Sequence, residues 1–222
     1  VVEVSPAEET SQPLKKTFLT FESLEQMDEL AYLGMPALAL RLLSQEQTRW
    51  PVYTPEWYAF ERKRITLLSA VENWQAIVES ADKVLKEAKS GEQITQQISQ
   101  WFVSQQIIAR LQMGEPEKAL SQTQKLLWST DKANVKSSPI ALWRRLVVRA
   151  YLLMHADDDA QRALLRYQQD YNKNYNNLNE DWRMLQARAM LRTNRPGEAV
   201  TLLVDSESII SKALRLVAAV RS

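Results

Sequence analysis

The chain has no cysteine, a single histidine and only four glycines among its 222 residues. The absence of cysteine excludes disulfide bonds, thiol nucleophiles and metal sites that use thiolate ligands. A single histidine makes a transition-metal site a poor expectation, and we predict neither a metal nor a cofactor. The glycines lie more than twenty residues apart, so the chain cannot form the glycine-rich loops that bind nucleotide phosphates.

The chain also lacks a charge excess and a long apolar run. Its 28 basic and 27 acidic side chains leave a formal net charge of +1, which gives no electrostatic reason to expect nucleic acid. No apolar run reaches the roughly 20 residues that a transmembrane helix needs. Because the first residue is Val1 rather than methionine, we expect a chain processed or excised from something longer, with a removed signal peptide as one possibility.

The residues that are abundant favour helices. Few glycines mean few tight hairpin turns, and the common Leu, Ala, Gln, Glu, Arg and Lys are good helix formers. We predict a flexible leader over residues 1–17 and an all-α domain over residues 18–222. Helices are predicted over residues 20–33, 36–47, 55–70, 74–89, 93–113, 116–129, 139–154, 157–172, 180–193, 196–205 and 207–220.

A repeat of small and large side chains runs along these helices. Five alanines each follow a turn position by five residues, at intervals of 37, 43, 41 and 39 residues: Ala39, Ala76, Ala119, Ala160 and Ala199. The turn positions hold Gly34, Val71, Gly114, His155 and Asn194. A ring precedes each alanine by 17 to 19 residues: Phe21, Trp57, Trp101, Trp143 and Trp182. Alanine lets two helices approach closely and a ring fills the space between helix pairs, so both sets are predicted to be buried.

The helix pairs resemble tetratricopeptide repeats. Trp143-x2-Leu146 and Trp182-x2-Leu185 match the opening of the first helix of that repeat, and Gly34-x4-Ala39 and Gly114-x4-Ala119 match the second. The period exceeds the usual length of about 34 residues, and the G-x2-Y portion is mostly missing. The resemblance implies a tetratricopeptide-like, right-handed α-solenoid of about five antiparallel pairs plus a final helix. That helix is apolar on most of its circumference, unlike a solenoid end, which predicts further sequence after Ser222.

Residues that could perform catalysis are scarce. His155 occupies a turn position, and histidine is one of the residues that tolerate positive φ, so we favour a turn role over a catalytic one. Asp157, Asp158 and Asp159 suggest a cation site, but they directly precede a helix, where helix capping explains them. We predict no catalytic residue. An enzyme hidden in the concave surface is a weak alternative, because histidine is nearly absent and cysteine is missing.

Tryptophan and arginine are the candidates for binding. Trp50, Trp74 and Trp128 lie outside the repeating ring position and are the candidates for surface rings that stack on sugars. In a solenoid of this kind the first helices of successive pairs line the concave surface, and here they carry many arginines. The predicted binding residues are Arg62, Arg64, Arg110, Arg144, Arg145, Arg149, Arg183, Arg188 and Arg192. Such a groove favours an acidic peptide, a carboxylate-bearing glycan or phosphate. The alternative is that these arginines pair with acids on neighbouring helices or lie solvated at the rim.

Five phrases of the sequence resemble a second kind of protein. They are MDELAYLGMPALALRLL (27–43), WYAFERKRITLL (57–68), LWRRLVVRAYL (142–152), DDAQRALLRYQQDY (158–171) and DWRMLQARAMLRTNRPGEAVTLL (181–203). They are similar to the helical region that precedes the catalytic domain of Gram-negative lytic transglycosylases. That resemblance implies a periplasmic location and a non-catalytic scaffold that binds a protein partner or a peptidoglycan strand of the cell wall.

The resemblance carries no catalytic residue to this chain. The catalytic glutamate of those enzymes lies in an E-S-x-F-like signature before a G-L-M-Q stretch, whereas Glu207 and Ser208 are followed here by two isoleucines. The alternative function is a stand-alone tetratricopeptide-like adaptor for protein–protein interaction. Neither interpretation involves nucleic acid or a transmembrane segment, and the oligomeric state stays open.

Overall fold

The computed structural model describes residues 23–89, 92–130, 140–172 and 180–222. These described residues form eleven α-helices and no β-strand. The helices are α1 (Ser23–Tyr32), α2 (Pro36–Gln47), α3 (Pro55–Ala70), α4 (Trp74–Glu87), α5 (Gln96–Gln112), α6 (Pro116–Thr130), α7 (Ile140–Leu153), α8 (Asp157–Asn172), α9 (Glu180–Arg192), α10 (Pro196–Leu202) and α11 (Ile209–Arg221). The predicted leader, residues 1–17, lies outside the described residues, as does Phe21.

The helix ends follow from local sequence, and the predicted ends that fall on described residues differ from the observed ones by at most three residues. Pro36, Pro116 and Pro196 each occupy the first position of a helix, where a backbone N–H has no partner within the helix. The hydroxyl of Thr54 accepts a hydrogen bond from the Trp57 backbone N–H and so caps α3. Thr95 caps α5 in the same way. These caps and prolines explain why the helix boundaries were predictable.

The chain divides into two compact units, Val1–Val71 and Glu72–Ser222, here called the N-terminal and C-terminal units. The single domain predicted over residues 18–222 stays a prediction. In the N-terminal unit α1 packs on α2, α2 packs on α3, and α1 also contacts α3. One buried cluster of this unit contains Met27, Ala39, Leu43, Phe60 and Leu67.

In the C-terminal unit each helix from α4 to α11 packs against the next one in the chain. The odd-numbered helices α5, α7, α9 and α11 also contact one another in sequence. Trp143, Leu146 and Leu164 lie in its main core, and the indole Nε1–H of Trp182 donates to the Leu164 carbonyl at 3.2 Å. The prediction of an all-α, solenoid-like fold is confirmed, because consecutive helices pack in neighbouring pairs.

The turn between the two helices of each pair contains one residue with a left-handed backbone. These turn residues are Gly34 (φ 81°), Glu72 (φ 56°), Gly114 (φ 73°), His155 (φ 60°) and Asn194 (φ 55°). All five predicted positions lie in these turns, but in the second pair the left-handed residue is Glu72, whereas the predicted position, Val71, has a φ of −96°. In every pair the first helix ends two residues before the turn residue, and α3 ends at Ala70. The second repeat therefore lies one residue further along the chain than predicted.

Counting from the turn residue shows which side chains the repeat buries. In every pair the residue five positions after the turn residue is buried, and so is the residue nine positions after it. The first set is Ala39, Ile77, Ala119, Ala160 and Ala199. The second set is Leu43, Ala81, Thr123, Leu164 and Leu203. Ala76 is only half-buried, so the prediction for the second alanine is wrong, and Ile77 takes its place.

The ring position follows the same count. Twelve residues before the turn residue lie Phe60, Phe102, Trp143 and Trp182, and all four are buried. Burial was correctly predicted for Trp143 and Trp182 and is wrong for Trp57 and Trp101, which are half-buried. One residue rotates a side chain by about 100° around a helix, so Phe102 occupies the core in place of the adjacent Trp101. In α3 the buried ring, Phe60, lies three residues after Trp57.

A candidate binding groove on the first helices

A groove of about 500 Å³ lies on three first helices of the C-terminal unit, α5, α7 and α9. Apart from one glutamine, the residues that line it are leucines and arginines. They are Leu111, Gln112, Arg149, Leu152, Leu153, Arg188, Leu191 and Arg192. We call this cavity the arginine–leucine groove. Its volume is within the usual range of ligand-binding pockets, roughly 300 to 1,000 Å³.

The repeat itself creates the arginine–leucine groove. Leu111, Leu152 and Leu191 each lie three residues before the turn residue of their pair. Arg149 and Arg188 each lie six residues before it. Equivalent positions of successive pairs therefore meet along one line of first helices, because α5, α7 and α9 contact in order. The result is an apolar strip with cations beside it.

The charge of the groove is unbalanced. Burial lowers the pKa of the Arg149 guanidinium, the positive charges of Arg145 and Arg188 lower it further, and Asp181 opposes them. Neither Arg149 nor Arg188 forms an ion pair with a carboxylate among the residues that the structure describes. A half-buried cation beside other cations is stabilised when an anion binds.

Two further arginines pair with acids close to the groove. Arg192 Nε donates to Asp157 Oδ1 at 2.6 Å, and its Nη2 donates to Oδ2 at 3.4 Å. This hydrogen bond holds the pKa of the Asp157 carboxyl below its ordinary value. Arg145 forms an ion pair with Asp181 across the α7–α9 contact. For these two arginines the alternative interpretation, pairing with acids on neighbouring helices, describes the structure.

The N-terminal unit uses its arginines differently. Arg64 Nε donates to Glu61 Oε2 at 2.8 Å and Nη2 donates to Oε1 at 2.5 Å. Glu61 is only 2% exposed and also accepts a hydrogen bond of 2.7 Å from Gln47 Nε2. Arg64 thus neutralises a buried carboxylate of its own helix. Arg62 is half-buried on the same helix.

The remaining predicted arginines lie apart from the groove. Arg110 faces α6 in a cavity of about 450 Å³ that it shares with Glu117 and Lys118. Arg144 lines a different cavity, between α6, α7 and α8. Arg183 is half-buried on α9 and lines neither of these two cavities. The structure therefore brings together three of the nine predicted residues, with Arg145 beside them.

Sequence reasoning missed the leucines of the groove. Leu153 is 49% exposed at the end of α7 and lines the groove beside the other leucines, and a contiguous apolar surface is a sign of a binding site. The signal that finds the others is their constant distance from the turn residue, since leucine recurs three positions before Gly114, His155 and Asn194.

The other candidate residues divide between turn, ion-pair and surface positions. His155 is exposed with φ 60°, as its interpretation as a turn residue predicted. Asp159 in the first turn of α8 accepts a hydrogen bond of 2.7 Å from Arg162. Trp128 is 77% exposed, whereas Trp50 and Trp74 are half-buried. Trp128 is therefore the tryptophan that best fits the prediction of a surface ring.

Comparison with known protein families, curated proteins and solved structures found no match for this chain. The resemblance to the helical region of lytic transglycosylases therefore depends on the five sequence phrases alone. Across the described ranges, none of the helices combines the length and the apolar character that crossing a membrane requires.

Proposed function

We propose that this chain is a non-catalytic helical-repeat scaffold that binds an acidic, amphipathic segment of a protein partner in the arginine–leucine groove. The observation that supports this most directly is that Arg149 and Arg188 lie beside a strip of leucines. Neither arginine forms an ion pair with a described carboxylate. Guanidinium groups bind carboxylates through two parallel hydrogen bonds.

The leucines favour a protein segment over a glycan. Leu111, Leu152 and Leu191 line the groove along three helices, with Leu111 only 3% exposed and the other two half-buried. An amphipathic helix or extended segment inserts apolar side chains into such a groove at regular spacing. Aspartate or glutamate side chains on the same segment would then meet Arg149 and Arg188.

A binding assay with charge-matched variants tests the proposal. The probe is a fluorescein-labelled synthetic peptide with leucine and glutamate at helical spacing, followed by fluorescence anisotropy. The double variant Arg149→Glu/Arg188→Glu should bind the peptide about 100-fold more weakly, because two charge-assisted contacts are replaced by repulsion. The matched control, Lys212→Glu/Arg221→Glu, changes the net charge equally at exposed positions of α11 and should bind normally.

Two results would overturn the proposed function. Equal losses in the two double variants would mean that general charge attraction, and not the groove, binds the peptide. Equal binding of a matched leucine–lysine peptide would mean that the arginines do not select an acidic partner. Thermal unfolding of each variant shows whether the fold is intact.

The wider proposal is that the scaffold belongs to a periplasmic peptidoglycan lytic transglycosylase, with chemistry in a separate module. Its support is the five sequence phrases, three of which correspond to α7, α8 and α9–α10. Purified sacculi incubated with this chain should release no soluble fragments, and chromatography of the supernatant measures this. Release would contradict the non-catalytic assignment. Failure of the chain to sediment with sacculi would favour the stand-alone adaptor.

A further inference from the structure

A second cavity, of about 300 Å³, lies between α6, α7 and α8 of the C-terminal unit. We call it the tryptophan pocket. It is lined by Gln124, Leu127, Trp128, Arg144, Val147, Tyr151, Asp159, Arg162, Ala163 and Arg166. It shares no residue with the arginine–leucine groove, so a ligand of this pocket is independent of the proposed function.

The tryptophan pocket has an apolar floor and polar walls. Leu127, Val147 and Ala163 are buried and form the floor, one from each helix. The lining residues of each helix fall three or four residues apart or directly next to one another, so each helix turns one face to the cavity. Above the floor, Gln124 Nε2 donates to the Tyr151 hydroxyl at 3.4 Å.

Trp128 is the most unusual residue of the tryptophan pocket. It is a large ring that lines a cavity and yet is 77% exposed. Burying such a ring on folding would stabilise the protein, so an exposed ring at a cavity offers its area to a ligand instead. The four rings at the core position of the repeat are already Phe60, Phe102, Trp143 and Trp182, so Trp128 has no part in that packing.

Positive charge is concentrated on the walls. Arg144, Arg162 and Arg166 line the cavity, against the single carboxylate of Asp159. Arg162 Nη2 donates to Asp159 Oδ1 at 2.7 Å, so the single carboxylate of the cavity is already paired with one of these arginines. Arg166 is exposed and has no hydrogen bond or ion pair to any residue in the described part of the chain. Its donors are available to an anion.

We propose that the tryptophan pocket binds a small ligand in which a ring carries a carboxylate. The ring lies against Trp128 over the apolar floor, and the carboxylate accepts hydrogen bonds from the Arg166 guanidinium. A six-membered ring with one carboxylate fits a volume of about 300 Å³. Two sources supply this chemistry, an acidic pyranose sugar and an aromatic carboxylic acid, and titration with one probe of each kind separates them.

The experiment titrates the ¹⁵N-labelled chain with four probes and follows the backbone amide signals of α8 by nuclear magnetic resonance. Glucuronate and phenylacetate combine a ring with a carboxylate, glucose has a ring alone, and acetate has a carboxylate alone. Only glucuronate, phenylacetate or both should shift the amide signals of Arg162, Ala163 and Arg166. The tighter of these two probes identifies the ligand class.

Three variants at exposed positions test the roles of ring and cation. Trp128→Ala should weaken binding of the preferred acid about tenfold, and Trp128→Phe, which keeps a ring, should restore most of it. Arg166→Gln should also weaken binding about tenfold, because it removes a charge-assisted contact. Arg41→Gln, an equal charge change at an exposed position of α2, is the control and should have no effect.

Each contrary result overturns the proposal. Acetate binding as tightly as the ring acids would remove the role of Trp128, and glucose binding as tightly would remove the role of the arginines. Absence of shifts in α8 with all four probes at millimolar concentrations would show that the pocket binds no ligand of this class. A loss in Arg41→Gln equal to that in Arg166→Gln would show non-specific attraction of anions.

Discussion

The N-terminal and C-terminal units place arginine on first helices in two different settings. On α3 of the N-terminal unit, Arg64 faces Glu61 three residues earlier and makes two hydrogen bonds to its buried carboxylate. On α7 of the C-terminal unit, the charged neighbours of Arg149 are the cations Arg145 and Arg188 and the carboxylate of Asp181, which pairs with Arg145. A strip of leucines lies beside them. The first arginine is part of the folded core, and the second is available for a ligand. The nearest carboxylate, and not the arginine itself, decides which role applies.

Replacing each arginine by methionine should give the largest difference between the two units. Arg64→Met leaves the buried Glu61 carboxylate with the neutral amide of Gln47 as a donor in place of a guanidinium, and should cost about 3 kcal/mol of unfolding free energy. Arg149→Met removes repulsion between cations and keeps the apolar stem, so it should cost less than about 1 kcal/mol. Urea unfolding followed by circular dichroism measures both. Equal losses would show that Arg149 also has a structural role.

A carboxylate of the C-terminal unit extends the comparison with Glu61. Glu180 at the start of α9 accepts hydrogen bonds from the Ser206 and Ser211 hydroxyls, which hold its pKa below the ordinary glutamate value of about 4.5. Since the folded state favours the ionised form, this stabilisation is present above that value and is lost as the pH falls through the lower folded value. Glu180→Gln should therefore cost about 1 kcal/mol at pH 7.

The pH dependence of the unfolding free energy is the control for the Glu180→Gln prediction. The difference in unfolding free energy between the wild type and Glu180→Gln should shrink steadily as the pH is lowered below about 4.5. Hydrogen exchange of the α11 amides should report the same trend, because Ser211 lies on α11. A difference that is constant from pH 7 to pH 3 would mean that the hydroxyls do not favour the ionised form.

The smallest expected effect concerns the turn between α3 and α4, next to the boundary of the two units. Glu72 has φ 56°, which costs energy for a residue with a side chain, so Glu72→Gly should stabilise the protein by about 0.5 kcal/mol. Val71 has φ −96°, so Val71→Gly should destabilise it by about 0.5 to 1 kcal/mol. Thermal unfolding measures both shifts, and the opposite order would restore the predicted turn at Val71.

The sequence predicted the helices well because their ends depend on local chemistry. Proline at the first position and threonine before it mark where a helix begins, whatever packs against it later. The position of the repeat was harder to predict where its turn contains no glycine. Between Gly34 and Gly114 nothing in the pattern separates Val71 from Glu72, and the choice depends on where α3 ends.

The candidate site was predictable by residue type but not by position. The nine arginines occupy six different positions relative to the turn residues, so they point to different sides of their helices. The sequence alone did not show which side of each helix faces the groove. It therefore could not show that Arg149 lines the groove and Arg144 does not. Ion pairs between distant residues, such as Arg145 with Asp181, also depend on packing that periodicity does not show.

The constant spacing around the turn residue separates a fixed part of each repeat from a variable one. From twelve residues before the turn to nine after it, the buried positions keep the same order, while successive turn residues lie 38, 42, 41 and 39 residues apart. The variation in length therefore falls outside this stretch, in the outer ends of the helices and in the connections from one helix pair to the next. Those regions are where this architecture can gain or lose residues during evolution without disturbing the packed centre of a helix pair.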